Sequence, residues 1–218
     1  MLREAALSGD EPHTRVTDLR ASPNEVPTLA PALMGQRVEL RPVVPEDYPY
    51  LFSLSLDPRI CFRWRLRNTT PSFEGFVAGL FQGILAQFLV VERSTGERSG
   101  LISVYNVDFK NDIGYLAMVL DPRIHGTPMT VEALSLFMNY VFTSWPLRKV
   151  YAETTELSYP QFEGGKGRLF ELEGVYPEHE YYDGRYWCMY MLAFYRTRWE
   201  RILERFSSSA SSSGVGPS

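Results

Sequence analysis

The hydrophobic pattern of the chain begins with a clear alternation. In the segment RVELRPV, Val38 and Leu40 alternate with Glu39 and Arg41, which predicts a half-buried strand. The segment that follows, PEDYPYLFSL, opens with Pro45 and two acidic residues. Proline and acids at the start of an apolar segment are typical of a helix N-terminus, so we expect a helix there.

A second helix is predicted in the segment TTPSFEGFVAGLFQGIL. Its apolar residues recur at spacings of three and four, which places them on one helical face. That face comprises Phe73, Phe76, Val77, Leu80, Phe81 and Ile84. The period then changes, because residues 88–91, 101–107 and 113–120 are short apolar runs separated by the turn signals STGE and KND. These runs predict three strands, the second to the fourth of the chain.

A third helix is predicted at residues 128–142, after Asp121-Pro122 ends the fourth strand. Its apolar face comprises Val131, Leu134, Phe137, Met138 and Val141. The segment RKVYAETTE predicts a fifth strand. The segment EGVYPEHEYYDGRYWCMYMLAFYRTRW predicts a closing hairpin that turns at Asp183-Gly184, and WERILERF predicts one or two final helical turns.

This order of elements indicates the fold class. An antiparallel meander and a helical crossover in one chain predict a mixed α/β fold. We expect a mostly antiparallel central sheet of six to seven strands with helices on both faces. The helix at 128–142 should join the fourth and fifth strands as parallel neighbours. We predict one domain at 36–206, a flexible N-terminal arm at 1–35 and a disordered Ser-rich tail at 207–218.

Composition narrows the possible functions. A formal net charge of −4 without a basic run argues against nucleic-acid binding, and no apolar run approaches the ~20 residues of a membrane span. The N-terminus lacks the apolar core of a signal peptide. Cys61 and Cys188 have no paired spacing, which favours a reduced, cytoplasmic protein. The three histidines are too scattered to predict a metal site.

The turn before the third helix is the strongest candidate for a binding site. Backbone N–H groups at a helix start favour an anion, Gly126 permits a close approach, and Arg123 and His125 could add charge or hydrogen bonds. The alternative is a purely structural turn. In that interpretation Gly126 is a turn glycine, Thr127 is the N-cap and Pro128 is the favoured first helical residue.

Three segments carry a resemblance to a known family: RVELRPVVPEDYPYL, YLAMVLDPRIHGTPMTVEAL, and EGVYPEHEYYDGRYW with LAFYRTRW. The chain resembles the GNAT superfamily of acyl-CoA-dependent N-acyltransferases and is similar to its ribosomal-protein N-terminal acetyltransferase branch. Family members read R/Q-x-x-G-x-G/A where this chain has residues 123–128.

The resemblance implies a function and a cosubstrate. It implies transfer of an acetyl or other acyl group from acyl-CoA to a primary amine of a small molecule or peptide, without a metal. The pantetheine arm is expected between the fourth and fifth strands, with the pyrophosphate on the turn, and a homodimer through the last strands is suggested. The implied CoA-binding residues are Met118, Val119, Leu120, Arg123, His125, Gly126, Thr127, Met129 and Thr130.

Two departures from the family pattern keep a second hypothesis open. Pro128 replaces a small residue whose N–H would help to bind pyrophosphate. After the fifth strand, LSYPQFEGGKGRLFELEGV contains Pro160 and a glycine cluster at 163–167, which argues against the helix that the family has there. The alternative is therefore a GNAT-like protein without orthodox acetyl-CoA chemistry, either a binding or regulatory module or an enzyme that uses a carrier-protein acyl donor.

Amide formation from a thioester requires a base for the amine, donors for the oxyanion and a proton for the leaving thiolate. Glu153 is the candidate base, with a solvent-facing strand carboxylate as the alternative. Ser158 and Tyr159 are the candidate thiolate-side donors, because they follow the fifth strand, and a packing aromatic is the alternative for Tyr159. Tyr115 and Asn106 are candidates to line the acceptor cleft.

Overall fold

A single mixed sheet organises the chain, whose computed structural model describes residues 32–61, 64 and 71–202. The spatial order of its eight strands is β1-β2-β3-β4-β5-β6-β8-β7, and only β5 and β6 are parallel neighbours. The expected mixed, mostly antiparallel sheet is confirmed, with a two-residue edge strand in addition. The strands are β1 Leu33–Met34, β2 Val38–Pro42, β3 Ile84–Glu92, β4 Arg98–Asp108, β5 Ile113–Leu120, β6 Lys149–Thr155, β7 Glu171–Tyr182 and β8 Arg185–Tyr195.

The predicted arm and tail lie almost entirely outside the described residues. The exception is β1, which falls within the predicted arm and pairs with β2 at the edge of the sheet. The domain boundaries therefore stay predictions. The fourth and fifth predicted strands correspond to β5 and β6.

Helices cover both faces of the sheet, as the sequence predicts. Helix α3, Pro128–Ser144, packs on one face, while α1, Tyr48–Leu56, and α2, Phe73–Gly79, pack on the other. A last helix begins at residue 196 and is described to residue 202, and its Trp199 is buried in the core beneath α3. Each face thus has its own apolar core, since strand side chains alternate between the faces.

The second helix is shorter than the sequence predicts. It ends at Gly79, and the residues from Leu80 to Gly83 form a turn into β3, which begins at Ile84. Gly83 adopts a φ of 66°, a left-handed conformation that ends helical geometry. The prediction that Phe81 and Ile84 extend the apolar helical face is therefore wrong, and Phe81 is exposed.

Asp47 lies in the first turn of the predicted helix start, where a short 3-10 turn at Pro45–Asp47 leads into α1, and it also forms a buried ion pair. Its fully buried carboxylate accepts hydrogen bonds from both terminal nitrogens of Arg41, at 2.7 and 2.8 Å, and from the Arg98 Nε at 2.8 Å. The Val44 N–H donates to it as well. Burial acts to raise the pKa of Asp47, but these donors outweigh it and lower the pKa to about 2. The carboxylate thereby joins β2 to β4 below the start of α1.

The parallel strands β5 and β6 separate halfway along their length. They pair from residues 113–116 to residues 149–152 through the predicted crossover helix α3. Residues 117–120 remain paired only with β4, and residues 153–155 only with β8. The sheet therefore opens into a V-shaped gap between its two halves, and the backbone edges of both strands face that gap.

The segment between β6 and β7 forms no regular α-helix, as its proline and glycines predict. It contains two short 3-10 turns, Tyr159–Gln161 and Glu163–Gly165. Its end is anchored by Phe170, which is buried against Phe194 with ring centroids 5.6 Å apart. Strands β7 and β8 then form the predicted hairpin, closed at Asp183-Gly184.

Candidate active site

A cleft with a volume of about 430 Å³ occupies the gap between β5 and β6. Its lining includes Leu134 and Phe194 from the α3 side of the sheet and Tyr105 and Glu153 from the opposite side. The cleft thus passes through the sheet where the two strands have separated. A gap of this kind can hold an extended ligand arm, because unpaired strand edges present N–H and C=O groups.

The turn between β5 and α3 forms one end of the cleft. Gly126 and Thr127 line it, and Gly126 adopts a φ of 69°, which a residue with a Cβ rarely adopts. Because an added Cβ at Gly126 would meet no atom within 4 Å, the backbone conformation is what requires glycine there. The turn is braced from below, since the hydroxyls of Thr127 and Thr130 both donate to the Ile124 carbonyl.

These hydrogen bonds leave backbone N–H groups at the start of α3 free to bind a ligand. Thr127 is the N-cap residue of α3, but its side chain makes no capping hydrogen bond. Within the described part of the chain, the N–H groups of Gly126 and Met129 have no acceptor, and Pro128 has no N–H. A helix start with two unpaired amides suits an anion, although proline leaves it with one donor fewer than a small residue would give.

The two basic residues of the turn differ in their surroundings. The Arg123 guanidinium pairs with Asp121 at 3.1 Å and with Glu97 at 2.5 Å, and these acids raise the pKa of Arg123. Arg123 does not line the cleft. His125 does, and its Nε2 lies 2.9 Å from the Leu120 carbonyl oxygen. Since a carbonyl only accepts, this contact requires the proton on Nε2.

Glu153 lies at the point where the strands separate. It follows Ala152, the last β6 residue paired with β5, and it is exposed to the cleft. Next to it, a row of tyrosine rings crosses the sheet, with Tyr115 centred 6.0 Å from Tyr105 and 5.7 Å from Tyr151. The pKa of Tyr115 is raised, first by burial and then by the Glu153 carboxylate. The arrangement provides a carboxylate beside aromatic faces.

Ser158 presents a buried hydroxyl to the cleft. Its side chain is 3% exposed, and Ser158 Oγ has no hydrogen-bond partner among the described residues. The same holds for the hydroxyl of Thr155, the last residue of β6. Buried hydroxyls usually have partners, so two unpaired ones in a cleft are suited to a ligand. Tyr159 lies outside the lining, and its ring stacks on Tyr190 at 4.3 Å between centroids.

The structure brings most of the predicted site residues together. Those that line the cleft are Met118, Leu120, His125, Gly126, Thr127, Thr130, Glu153 and Ser158. The predicted residues outside the lining are Val119, in the core under α1 and α2, Met129, beside residues 36–37, and Arg123 and Tyr159. Tyr115 and Asn106, the two candidates for the acceptor cleft, also lie outside the lining. Asn106 has a positive φ, and its N–H donates to the Gly83 carbonyl.

Sequence reasoning missed several lining residues. Val131 was expected in the apolar core, but it is 52% exposed and lines the cleft instead. Thr155 shares a strand face with Glu153, so alternation along β6 could have identified it. Arg168 also lines the cleft, and no signal in the sequence distinguishes it from other loop arginines.

The described residues form neither a candidate membrane span nor a candidate metal site. No helix in this part of the chain is long and apolar enough to cross a membrane. Within the same residues, no group of three or more histidine, cysteine or acidic side chains has an arrangement that could hold a metal ion.

Solved structures share this architecture. An N-acetyltransferase of the GCN5-related family from Brucella melitensis superimposes with a TM-score of 0.64 at 21% identity, covering 82% of this chain and 84% of that chain. A probable GNAT-family acetyltransferase from Chromobacterium violaceum has a TM-score of 0.63 at 15% identity, covering 90% and 100%. The spermidine N-acetyltransferase from Vibrio cholerae, solved with CoA and spermine, has a TM-score of 0.64 at 16% identity, covering 76% and 99%.

At these identities the likeness establishes the fold, which is the one that the resemblance predicts. A search of curated proteins found no significant match. The family model described as the acetyltransferase (GNAT) domain matches residues 37–157, more than half of the chain. That match covers β2 to β6, including the turn and the divergent strands that form the cleft, and the chain therefore belongs to the GNAT acetyltransferase family.

Proposed function

We propose that the protein transfers an acetyl or other acyl group from acyl-CoA to a primary amine of a small molecule or peptide. The observation that carries this proposal is the continuous cleft from the turn at Gly126 and Thr127, where the Gly126 N–H is unpaired, to the Glu153 carboxylate. An anion-binding turn at one end and a carboxylate at the other fit a phosphate-bearing donor and an amine acceptor.

Three parts of the acyl-CoA donor would occupy successive positions along the cleft. Its pyrophosphate accepts hydrogen bonds from the unpaired amides of the turn. Its pantetheine arm lies in the gap, against the edges of residues 117–120 and 153–155. The thioester then lies near the point of divergence, where backbone N–H groups at the end of β5 can stabilise the oxyanion.

The reaction needs two proton movements, and the chain has candidates for both. Glu153, directly or through water, first takes a proton from the bound ammonium, and the neutral nitrogen then attacks the thioester carbonyl carbon. The C–N bond forms, the C–S bond breaks, and the leaving thiolate takes a proton. Ser158 is the first candidate donor for that proton because its buried hydroxyl lies in the cleft, and Tyr159 remains the second.

The acceptor side favours a cationic amine. The Tyr105 and Tyr115 rings near Glu153 would attract an ammonium group through cation–π contacts and charge, whereas the Tyr151 ring already has the Lys149 Nζ 4.5 Å from its centroid. A Vibrio cholerae neighbour acts on the polyamine spermidine, which agrees with a small amine acceptor. We therefore place diamines and polyamines first in an acceptor screen, and peptide N-termini second.

The oligomeric state and the cellular compartment of the protein are also proposals. A homodimer could use the free edge of β7, where Val175, Tyr176 and Tyr181 are exposed. Light scattering on the purified protein measures its mass and decides this. The cytoplasmic setting rests on Cys61 and Cys188, which are both free.

A turnover assay with acetyl-CoA tests the proposed function. Free CoA thiol is measured with spermidine, a diamine, an aromatic amine and a short peptide as acceptors. We expect turnover with at least one amine and a loss of about 10²–10⁴ in kcat for Glu153→Gln, with acetyl-CoA affinity unchanged. Glu156→Gln is the matched control, because Glu156 is an exposed carboxylate outside the cleft.

Acetyl-CoA binding without turnover on any amine would contradict the acceptor assignment. Absence of binding would favour the second candidate, a module or an enzyme with a carrier-protein donor. The specific observation behind that candidate is Pro128, which removes one amide from the turn.

A further inference from the structure

The anion-binding end of the cleft has little positive charge of its own. Pro128 removes one amide donor, and the Arg123 guanidinium is held outside the cleft by Asp121 and Glu97. CoA carries a pyrophosphate and a 3′-phosphate, and phosphates bind most strongly through charge-assisted hydrogen bonds. The chain as a whole is negative, at −4, so a local cation is needed to offset repulsion.

Arg168 is placed to supply that charge. It belongs to the loop between β6 and β7, and it lines the same cleft as Gly126 and Thr127. It is the only lysine or arginine in the lining of the cleft that the described residues form. No acidic side chain in this part of the chain pairs with it, in contrast to Arg123.

The backbone that carries Arg168 is fixed. The Gly165 carbonyl accepts hydrogen bonds from the N–H groups of Arg168 at 3.0 Å and Leu169 at 2.7 Å. The Gly167 N–H donates to the Phe170 carbonyl at 2.9 Å, and Phe170 is anchored in the core. Only the side chain of Arg168 must therefore be ordered when an anion binds, which lowers the entropic cost of binding.

We propose that Arg168 binds a phosphate group of CoA. Its charge replaces the hydrogen bond that Pro128 cannot donate and the charge that Arg123, paired with acids outside the cleft, does not supply. The inference rests on the proposed function, since it requires CoA in the cleft. It gives the glycine-rich loop a role, because this loop replaces the helix that the resemblance implies after the fifth strand and brings a cation to the cleft.

Calorimetric titration of the full chain with CoA, dephospho-CoA and pantetheine tests this proposal. Arg168→Gln removes the charge at similar length, and Arg168→Lys keeps it. Lys166→Gln is the matched control, since it removes a cation two residues away that does not line the cleft. Thermal unfolding of each variant confirms that the fold is retained.

We expect Arg168→Gln to weaken CoA binding about tenfold, Arg168→Lys to weaken it less, and Lys166→Gln to leave it unchanged. Pantetheine affinity should be the same in all proteins, because pantetheine has no phosphate. A loss that persists with dephospho-CoA assigns Arg168 to the pyrophosphate, and a loss confined to CoA assigns it to the 3′-phosphate. Both patterns support the proposal.

Two results would overturn it. If the wild-type protein binds CoA and Arg168→Gln binds it equally well, this inference fails and the proposed function stands. If the wild-type protein binds neither CoA nor dephospho-CoA, both fail together.

Discussion

At the scale of single residues, burial distinguishes two candidate proton donors that sequence position alone cannot distinguish. Ser158 and Tyr159 are adjacent and chemically plausible to the same degree. One hydroxyl is buried in the cleft without a partner, whereas the other side chain stacks on Tyr190 outside it. This difference makes Ser158 the first choice for protonating the leaving thiolate.

Ser158→Ala should lower kcat about 10- to 100-fold without weakening acetyl-CoA binding, because in the proposed mechanism the hydroxyl gives its proton to the thiolate as the C–S bond breaks. Tyr159→Phe, which keeps the stacked ring, should retain nearly full activity. Steady-state kinetics with the best amine acceptor measure both variants. The opposite ranking would assign the proton to Tyr159.

Asp47 shows how one buried carboxylate couples stability to pH. Its folded-state pKa of about 2 lies below the unfolded value of about 3.9, so its contribution to stability is fully present above about pH 4. That contribution is lost as the pH falls through the folded-state pKa. A difference of this size corresponds to about 3 kcal/mol.

Asp47→Asn should therefore lower the free energy of unfolding by about 3 kcal/mol at pH 7, since it leaves Arg41 and Arg98 without a buried counter-charge. The gap to the wild type should narrow as the pH falls from 4 to 2. Urea unfolding across this pH range measures it. Glu46→Gln, at an exposed neighbouring acid, should change little, and an equal effect of both variants would contradict the assignment.

At the scale of elements, much of the architecture could be predicted from periodicity. Strand β5 and the start of α3 match their predicted limits, and the hairpin turns at the predicted Asp183-Gly184. The length of α2 could not be predicted, because helical spacing continues through Gly79 and Gly83 while the backbone turns. The exposed position of Val131 depends on where β5 and β6 separate, which is a tertiary property.

The candidate site also has a part that could be predicted from the sequence and a part that could not. The turn before α3 could be predicted from a local sequence pattern, because a strand, a glycine and a helix start follow one another along the chain. Thr155 lies on the same face of β6 as Glu153, so strand alternation could have identified it, whereas Arg168 reaches the cleft through the path of the loop after β6, which no local pattern specifies. Likewise, the ion pairs that hold Arg123 outside the cleft involve Glu97, 26 residues away.

Pro128 allows a direct test of the turn between β5 and α3. Pro128→Ala restores an amide N–H at the first residue of α3, and it should tighten CoA binding about tenfold. The same change should cost up to about 1 kcal/mol of stability, because proline restricts the unfolded chain. Calorimetry and thermal unfolding measure the two effects.

Pro122→Ala provides the control for that variant. Pro122 also begins a short helix but does not line the cleft, so its replacement should not alter CoA affinity. If neither variant changes the affinity, the pyrophosphate does not bind at the start of α3.

At the scale of the whole molecule, the sheet is two halves joined along a short seam. Strands β1 to β5 form one half and β6, β8 and β7 the other, with pairing across the seam limited to residues 113–116 and 149–152. A donor lying in the gap would contact both halves. Its binding energy would then add to the stability of the folded state, since the unfolded chain has no such site.

Thermal unfolding with acetyl-CoA, CoA and dephospho-CoA in high excess tests whether the cleft binds an acyl-CoA donor. A ligand at about 100 times its dissociation constant adds about 2.7 kcal/mol, which for a domain of this size raises Tm by roughly 5–10 °C. We expect a rise of that size with acetyl-CoA and CoA. No rise with any of the three would contradict the proposed function, because a cleft that binds no CoA cannot support transfer from acyl-CoA.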